Sequence, residues 1–369
     1  MAPSRRVQRD FCPNAREICY GSKANPIARL QVSMQLSYAQ RLEDYHLALA
    51  LGDRESGTYI DVGAGHPVAD NVSYWFYLKG WRGLVIEPQP ALINRYAHLR
   101  PRDIAVCTLV GDHEGEADFH LVERLHSLSS TIAEHANVAT AYGARVETVR
   151  LPVRTLASLI AEHDFGRADF LKVDVEGAEG AVLAGMDWSR CRPRVVVVEA
   201  VSPGSMTEAW REWEPVLKAH GYEFVLFDEL NRFYVASEEE ELKARFPRAP
   251  VDWSSARHLY DYGRAHERPD HPDHKLAKAL VYSFLAALPE LDPALLSDLL
   301  LRRALAAGEP DANATTDLLF GTAEFPGPSP RPAPGADCAA LMRKLMASDR
   351  FRAAVGRISA AYDGGHVMD

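Results

Sequence analysis

The sequence predicts an α/β protein built on a doubly wound, mostly parallel sheet, and three observations carry that prediction. Short apolar runs rich in strand-forming residues recur between helical segments, at residues 59–62, 84–86, 104–110, 168–175 and 194–199. The last contains four consecutive valines, the pattern of a strand buried on both faces. The first breaks directly into Gly63-Ala64-Gly65, and Glu87 follows the second run, 22 residues beyond Gly65. That is the spacing at which a βαβ unit turns tightly under a ligand and offers a carboxylate from its next strand.

In chain order, residues 1–30 read as a basic arm, in which Arg5, Arg6, Arg9, Arg16, Lys23 and Arg29 meet only Asp10 and Glu17. Residues 31–240 read as the α/β domain. Residues 30–51 are expected to be helical, as are residues 71–80, with Asn71 at the N-cap and Gly80 just past the end. A third helix is expected over residues 90–99, and a third strand over 104–110 that ends in Gly111-Asp112-His113. Asp112 reads either as a contact to an adenine amine or as a plain turn residue. Residues 128–131 form a polar stretch, a ligand-side loop or a linker. An added strand (146–153) and a helix (156–163) precede the strand at 168–175 and a helix running to Met186. Residues 222–227 and 232–236 flank Asp228-Glu229-Leu230-Asn231 and read as a hairpin, an antiparallel edge on the sheet. Residues 241–369 read as a helical extension without chemistry, with a stiff Pro-rich linker at 325–335. Its histidines His266, His271 and His274 are spaced like a solvated loop rather than a metal site.

Composition narrows the function. The 369 residues carry 41 Lys and Arg against 51 Asp and Glu, a formal charge of −10, which argues against a nucleic-acid partner. No apolar core follows the N-terminal charges and no run is long enough for a membrane span. The five cysteines are odd in number and scattered, which suits reduced thiols and a cytoplasmic location.

The glycine turn by itself is a weak signal, because α/β proteins also use such turns with no ligand. A dinucleotide fingerprint needs a third glycine where this chain has Val68, which disfavours a nicotinamide enzyme. Asp61 opening the loop, Gly63 and Gly65 within it and Glu87 beyond it suit S-adenosylmethionine, with Asp61 towards the cationic amino end and Glu87 towards the ribose. Asp174 and Glu176 follow a strand end, where open α/β sheets place reactive groups, and either can serve as a base or a metal ligand. A strand-to-helix turn with a capping acid is the plainer account of the same residues. His126 and His66 are further candidates for the base. Glu199 ends the next strand, so Asp174, Glu176 and Glu199 can converge, and an oxygen-only set would take magnesium or calcium. Without an ion, one carboxylate acts as a simple general base.

Four blocks resemble FkbM-type S-adenosylmethionine-dependent methyltransferases. They are Ser37-Tyr38-Ala39-Gln40 with Glu43-Asp44, then Tyr59-Ile60-Asp61-Val62-Gly63-Ala64, then residues 76–83 leading to Glu87-Pro88, and finally residues 171–179. The likeness spans roughly residues 37–237 and departs from the common pattern where Gly65-His66 follow Ala64. It implies a seven-stranded Rossmann-like methyltransferase sheet, bound S-adenosylmethionine with Gln40 among the cofactor residues, and O-methylation, often of a sugar hydroxyl. The acceptor implied is a sugar, a glycan or a glycosylated small molecule; a homo-oligomer is left open. Two other readings are an S-adenosylmethionine-binding regulator or scaffold without catalysis and a nucleotide-sugar oxidoreductase, against which the missing third glycine counts.

Overall fold

The structure, a computed structural model, describes residues 36–122, 126–202, 207–262, 265–287 and 347–363. The strands are β1 Leu36–Ser37, β2 Thr58–Val62, β3 Arg82–Ile86, β4 Ile104–Val106, β5 Leu109–Gly111, β6 Gly115–Val122, β7 Val146–Thr155, β8 Phe170–Val173, β9 Val195–Glu199, β10 Tyr222–Phe227, β11 Asn231–Ala236 and β12 Arg257–His258. The helices are α1 Glu43–Leu51, α2 Tyr74–Leu78, α3 Pro90–Leu99, α4 Ala133–Asn137, α5 Leu156–Glu162, α6 Glu179–Ala184, α7 Glu214–Ala219, α8 Glu240–Lys243, α9 His274–Ala287 and α10 Asp349–Asp363.

The main sheet has seven strands in the order β10-β11-β9-β8-β2-β3-β4. The five from β9 to β4 run parallel, while β11 is antiparallel to β9 and β10 antiparallel to β11. Successive side chains of β2 point to opposite faces. Ile60 and Val62 join Leu84, Ile86, Leu171, Val173, Val196 and Val198 in a core sealed by α5, α6 and Trp213 and Leu217 around α7. Each such side chain, fully buried, contributes about 1.5–3 kcal/mol. On the other face Tyr59 stacks on Phe170, which also meets Phe76 and Trp81, and His46 of α1 lies against Phe233. Helices on both faces of a largely parallel sheet make the mixed α/β class that the sequence predicts.

From β2 the chain moves outwards to β3 and β4 on one side, then crosses to β8 and β9 on the other. The sheet order therefore reverses between β2 and β8, where open α/β sheets bind their ligands beyond the carboxyl ends of the strands. A second sheet, β5-β7-β6, is inserted between β4 and α5.

Several expected boundaries move. The strand expected over 104–110 is two strands in different sheets, β4 and β5, with Cys107 and Thr108 between them. Residues 36–42 are not the middle of a helix: β1 pairs in parallel with β12, and α1 starts only at Glu43, whose first turn is set by Asp44 accepting from Ser37 Oγ (2.6 Å) and Tyr38 N (2.7 Å). Asn71 is no N-cap, because its buried amide is drawn into the glycine loop and α2 begins at Tyr74. Residues 258–274 are more than a solvated loop, since His271 is buried and Asp273 is gripped by Arg357 of α10 at 2.7 and 2.8 Å. The described part of 241–369 is fastened to the rest by β12, by Val251 N donating to His46 Nε2 (3.1 Å) and by Tyr74 OH donating to Ala353 O (3.3 Å). The basic arm at residues 1–30 and the Pro-rich linker at 325–335 lie outside the described residues. No helix among the described residues is long and apolar enough to cross a membrane.

Candidate active site

The ends of β2 and β8 are so close that the turn after β2 must be glycine. Gly63 has φ +73°, and a Cβ there would fall 1.7 Å from the Asp174 carbonyl oxygen. Gly65 is also left-handed, at φ +59°, but a Cβ there would meet nothing within 4 Å, so this turn presents open backbone to the space above it. That space is a cavity of about 280 Å³. Its floor is Val62 to His66, one wall is Ile86 to Gln89 with Leu92, and Thr108 to Val110 with Phe119 complete that side. Asp174, Val175, Glu176, Ala178 and Glu199 form the far end, and Gln40, Asp70 and Leu230 also border it.

Glu87 is buried and fixed by two backbone donors, Gly65 N to Oε2 (2.9 Å) and Gln89 N to Oε1 (3.0 Å). Burial outweighs these donors and raises its pKa to about 7. Each of its oxygens keeps lone-pair capacity for hydroxyl donors.

Asp61 does not line this cavity. Its place on β2 sends it to the same sheet face as Tyr59, where Ser73 Oγ donates to it at 2.6 Å and burial raises its pKa. Beneath the loop, fully buried Arg100 donates to Asp103 (2.7 Å), Tyr59 OH (2.9 Å), Ser73 Oγ (2.8 Å), Asn71 Oδ1 (2.9 Å) and Pro67 O (3.2 Å). Asn71 Nδ2 and Tyr96 OH in turn hold Ala64 O at 2.9 and 3.0 Å. Asp61 thus belongs to the bed of the loop and does not border the cavity, where its expected role at the amino end of a ligand would place it.

Asp112 also stays away. Strand β4 ends at Val106, so Asp112 is carried beyond the insertion sheet's first strand and sits exposed, 2.6 Å from His113 Nδ1. Thr108 to Val110 border the cavity in its stead. His66 borders the cavity, but its Nδ1 accepts from Val68 N and Ala69 N (3.2 and 3.1 Å), which commits that nitrogen to the loop. His126 begins a short 3-10 turn, His126–Leu128, and its side chain lies outside the described residues.

At the acidic end, Lys172 Nζ lies 2.8 Å from both Asp174 Oδ2 and Asn231 Oδ1, and Asn231 Nδ2 donates to Glu43 Oε1 at 2.8 Å. Burial works against the charge of Lys172, which is 3% exposed, but Asp174 and Glu43 outweigh it and raise its pKa. Glu176 sits at φ +57°, its carbonyl accepting from Ser130 Oγ (2.8 Å) and from the His135 ring (2.9 Å), which must therefore carry its proton on Nδ1. Glu179 Oε1 accepts from Val175 N and Gly177 N at 3.1 and 3.0 Å and closes the turn. One ligand-competent oxygen from each of Asp174, Glu176 and Glu199 lies within 4.8 Å of the others. Burial, and then the neighbouring acids, hold Glu176 and Glu199 well above the usual carboxylate range.

Sequence reasoning did not single out Lys172, Asn231, Ser130 or His135. A lysine inside the apolar run Phe170-Leu171-Lys172-Val173 was the available signal, because a charge in a buried strand requires partners. The polar stretch at 128–131, for which a loop on the ligand side was one of two readings, does reach the cavity through Leu128, Ser129 and Thr131.

No curated protein and no solved structure matches the chain significantly. The glycine loop, Glu87 and all three clustered carboxylates fall within residues 61–224, and over those residues the chain matches the family model of the methyltransferase FkbM domain.

Proposed function

We propose that the protein is an S-adenosylmethionine-dependent O-methyltransferase that acts on a hydroxyl of a sugar in a glycan or natural product. The observation that carries this reading is one continuous cavity, running from the open glycine turn and Glu87 to Asp174, Glu176 and Glu199. The residues present fit the cofactor. Gly65 leaves room for close approach, and Glu87 is a preformed acceptor for two ribose hydroxyls. Ile86, Leu92, Leu109 and Val110 offer apolar cover for a flat base. Gln40 borders the opening.

When bound, the cofactor supplies an electrophilic methyl group. The chain aligns an acceptor oxygen with that group and removes the proton the oxygen must lose. Asp174 takes that proton as the new carbon–oxygen bond forms and the carbon–sulfur bond breaks. Lys172 and Asn231 hold the Asp174 carboxylate in place, and Glu43 holds Asn231. Ser130 and His135, from the inserted region, fix Glu176 and so shape the acceptor end.

The test is to incubate the full chain with S-adenosylmethionine and a panel of free sugars, glycosides and glycans, and to follow S-adenosylhomocysteine. Production that depends on a hydroxylated saccharide is expected. Tight S-adenosylhomocysteine binding with no turnover on any acceptor would instead leave a regulator or scaffold, and absent binding would refute the cofactor assignment.

A further inference from the structure

We infer that Asp174, Glu176 and Glu199 form a binding site for one hard divalent cation, magnesium or calcium, at the acceptor end of the cavity. The inference rests on the reading of this cavity as a methyl-transfer site, and it adds an ion that would orient the acceptor; with the ion bound, Asp174 would serve as its ligand, and the ion would supply the acidification of the acceptor hydroxyl otherwise left to Asp174 as base.

The first observation is geometric. The three carboxylates come from the ends of two adjacent parallel strands, β8 and β9, and from the turn that follows β8, and one oxygen from each lies within 4.8 Å of the others. Oxygen ligands at about 2.1–2.5 Å from one ion are separated by at most about 5 Å, so the three can share it. The donor set holds only oxygen, which suits a hard ion and not zinc or copper.

The second observation is independent of the clustering. Glu199 is 7% exposed, and its Oε2 is buried with no hydrogen-bond partner among the described residues. A buried carboxylate oxygen without a donor is costly, and in this position the missing partner would come from the cavity. The cation already present, Lys172, does not fill that role. Its hydrogen bonds go to Asp174 and Asn231, and none reaches Glu199 Oε2. Glu199 Oε2 therefore stays open to a partner from the cavity.

The turn is also held as a ligand set would require. The backbone of Glu176 is fixed by Ser130 and His135 and by Glu179 closing Val175 N and Gly177 N. Support of this kind orients a ligand before the ion arrives. An ion so held would leave coordination positions open to the cavity, where an acceptor hydroxyl, or two neighbouring hydroxyls of a sugar, could bind and become more acidic.

The test uses the full chain stripped with EDTA, titrated with manganese and followed by the loss of the free-ion resonance, then challenged with magnesium and with calcium. One manganese per chain, displaced by either ion, is expected. Glu199→Gln and Asp174→Asn should each weaken manganese at least about tenfold. S-adenosylhomocysteine binding, measured by calorimetry on the ion-free chain, serves as the folding control for both variants and scores the cofactor reading separately. No manganese bound at about 1 mM, the weak end of protein calcium sites, would overturn the inference. So would equal binding by either folded variant.

Discussion

Two ionic groups beside the same sheet differ in how far their charges are met. Under the glycine loop, Arg100 is fully buried and donates to five acceptors on five residues, while Asp103 also accepts from Tyr59 OH and Gly83 N. Beyond β8 and β9, three carboxylates share one lysine and Glu199 Oε2 has no partner among the described residues. The first group is closed, and nothing in it faces the cavity. The second is open, and all three acids line the cavity. Low dielectric strengthens a satisfied network and penalises an unsatisfied one, so an incomplete group is retained where a ligand completes it. The comparison teaches that burial alone does not mark a functional charge. Incomplete pairing that faces a cavity does.

The largest expected effect is on the closed group. Arg100→Met leaves Asp103 and Asp61 buried without their cation and should cost about 3–5 kcal/mol of stability. Urea unfolding of the full chain measures it, and a loss under about 1 kcal/mol would mean that the network is not the scaffold described.

The open group should respond in the opposite way. Asp174→Asn is expected to lower methyl transfer at least about a hundredfold while the unfolding midpoint and S-adenosylhomocysteine affinity stay nearly the same. Kinetics with any acceptor found in the saccharide panel, run beside calorimetry, decide it. A variant that turns over normally, or that unfolds as readily as Arg100→Met, would erase the contrast.

Glu87 lies between the two, structural through Gly65 N and Gln89 N and also bordering the cavity. Removing it with Glu87→Ala should weaken S-adenosylhomocysteine, measured at about pH 8 where the carboxyl is ionised, by about 1.5–3 kcal/mol, the range for hydrogen bonds to a charged group. Unchanged affinity would show that this carboxylate serves the loop alone.

A further contrast lies in pH. Burial raises Asp44 and Glu87 to about 7, so the folded chain holds protons that the unfolded chain gives up nearer 4. Stability from these groups is complete below the unfolded value and is lost as pH rises through about 7. Thermal unfolding of the ligand-free chain should therefore come at a higher temperature at about pH 5.5 than at about pH 8. The reverse order would mean that these carboxyls contribute less than buried His46, whose lowered pKa acts in the opposite direction.

The sequence by itself determined the mixed α/β class, because strands buried on both faces must be continuously apolar and β9 is four valines and a glutamate. It also marked Gly63, Gly65 and Glu87, which border one cavity, and the acids Asp174, Glu176 and Glu199, since strand ends and tight turns leave local signatures. Local pattern did not reveal which way a polar side chain in a buried strand turns. Asp61 and Lys172 both sit in β strands, yet Asp61 is drawn into the Arg100 bed while Lys172 reaches towards Asn231 from a hairpin 59 residues away. Nor could it show that the chain leaves the main sheet after Val106, which takes Asp112 out to solvent and brings Thr108 to the cavity instead. Those outcomes depend on partners distant in sequence. Only the tertiary structure decides which buried charges find a partner and which are left facing the cavity.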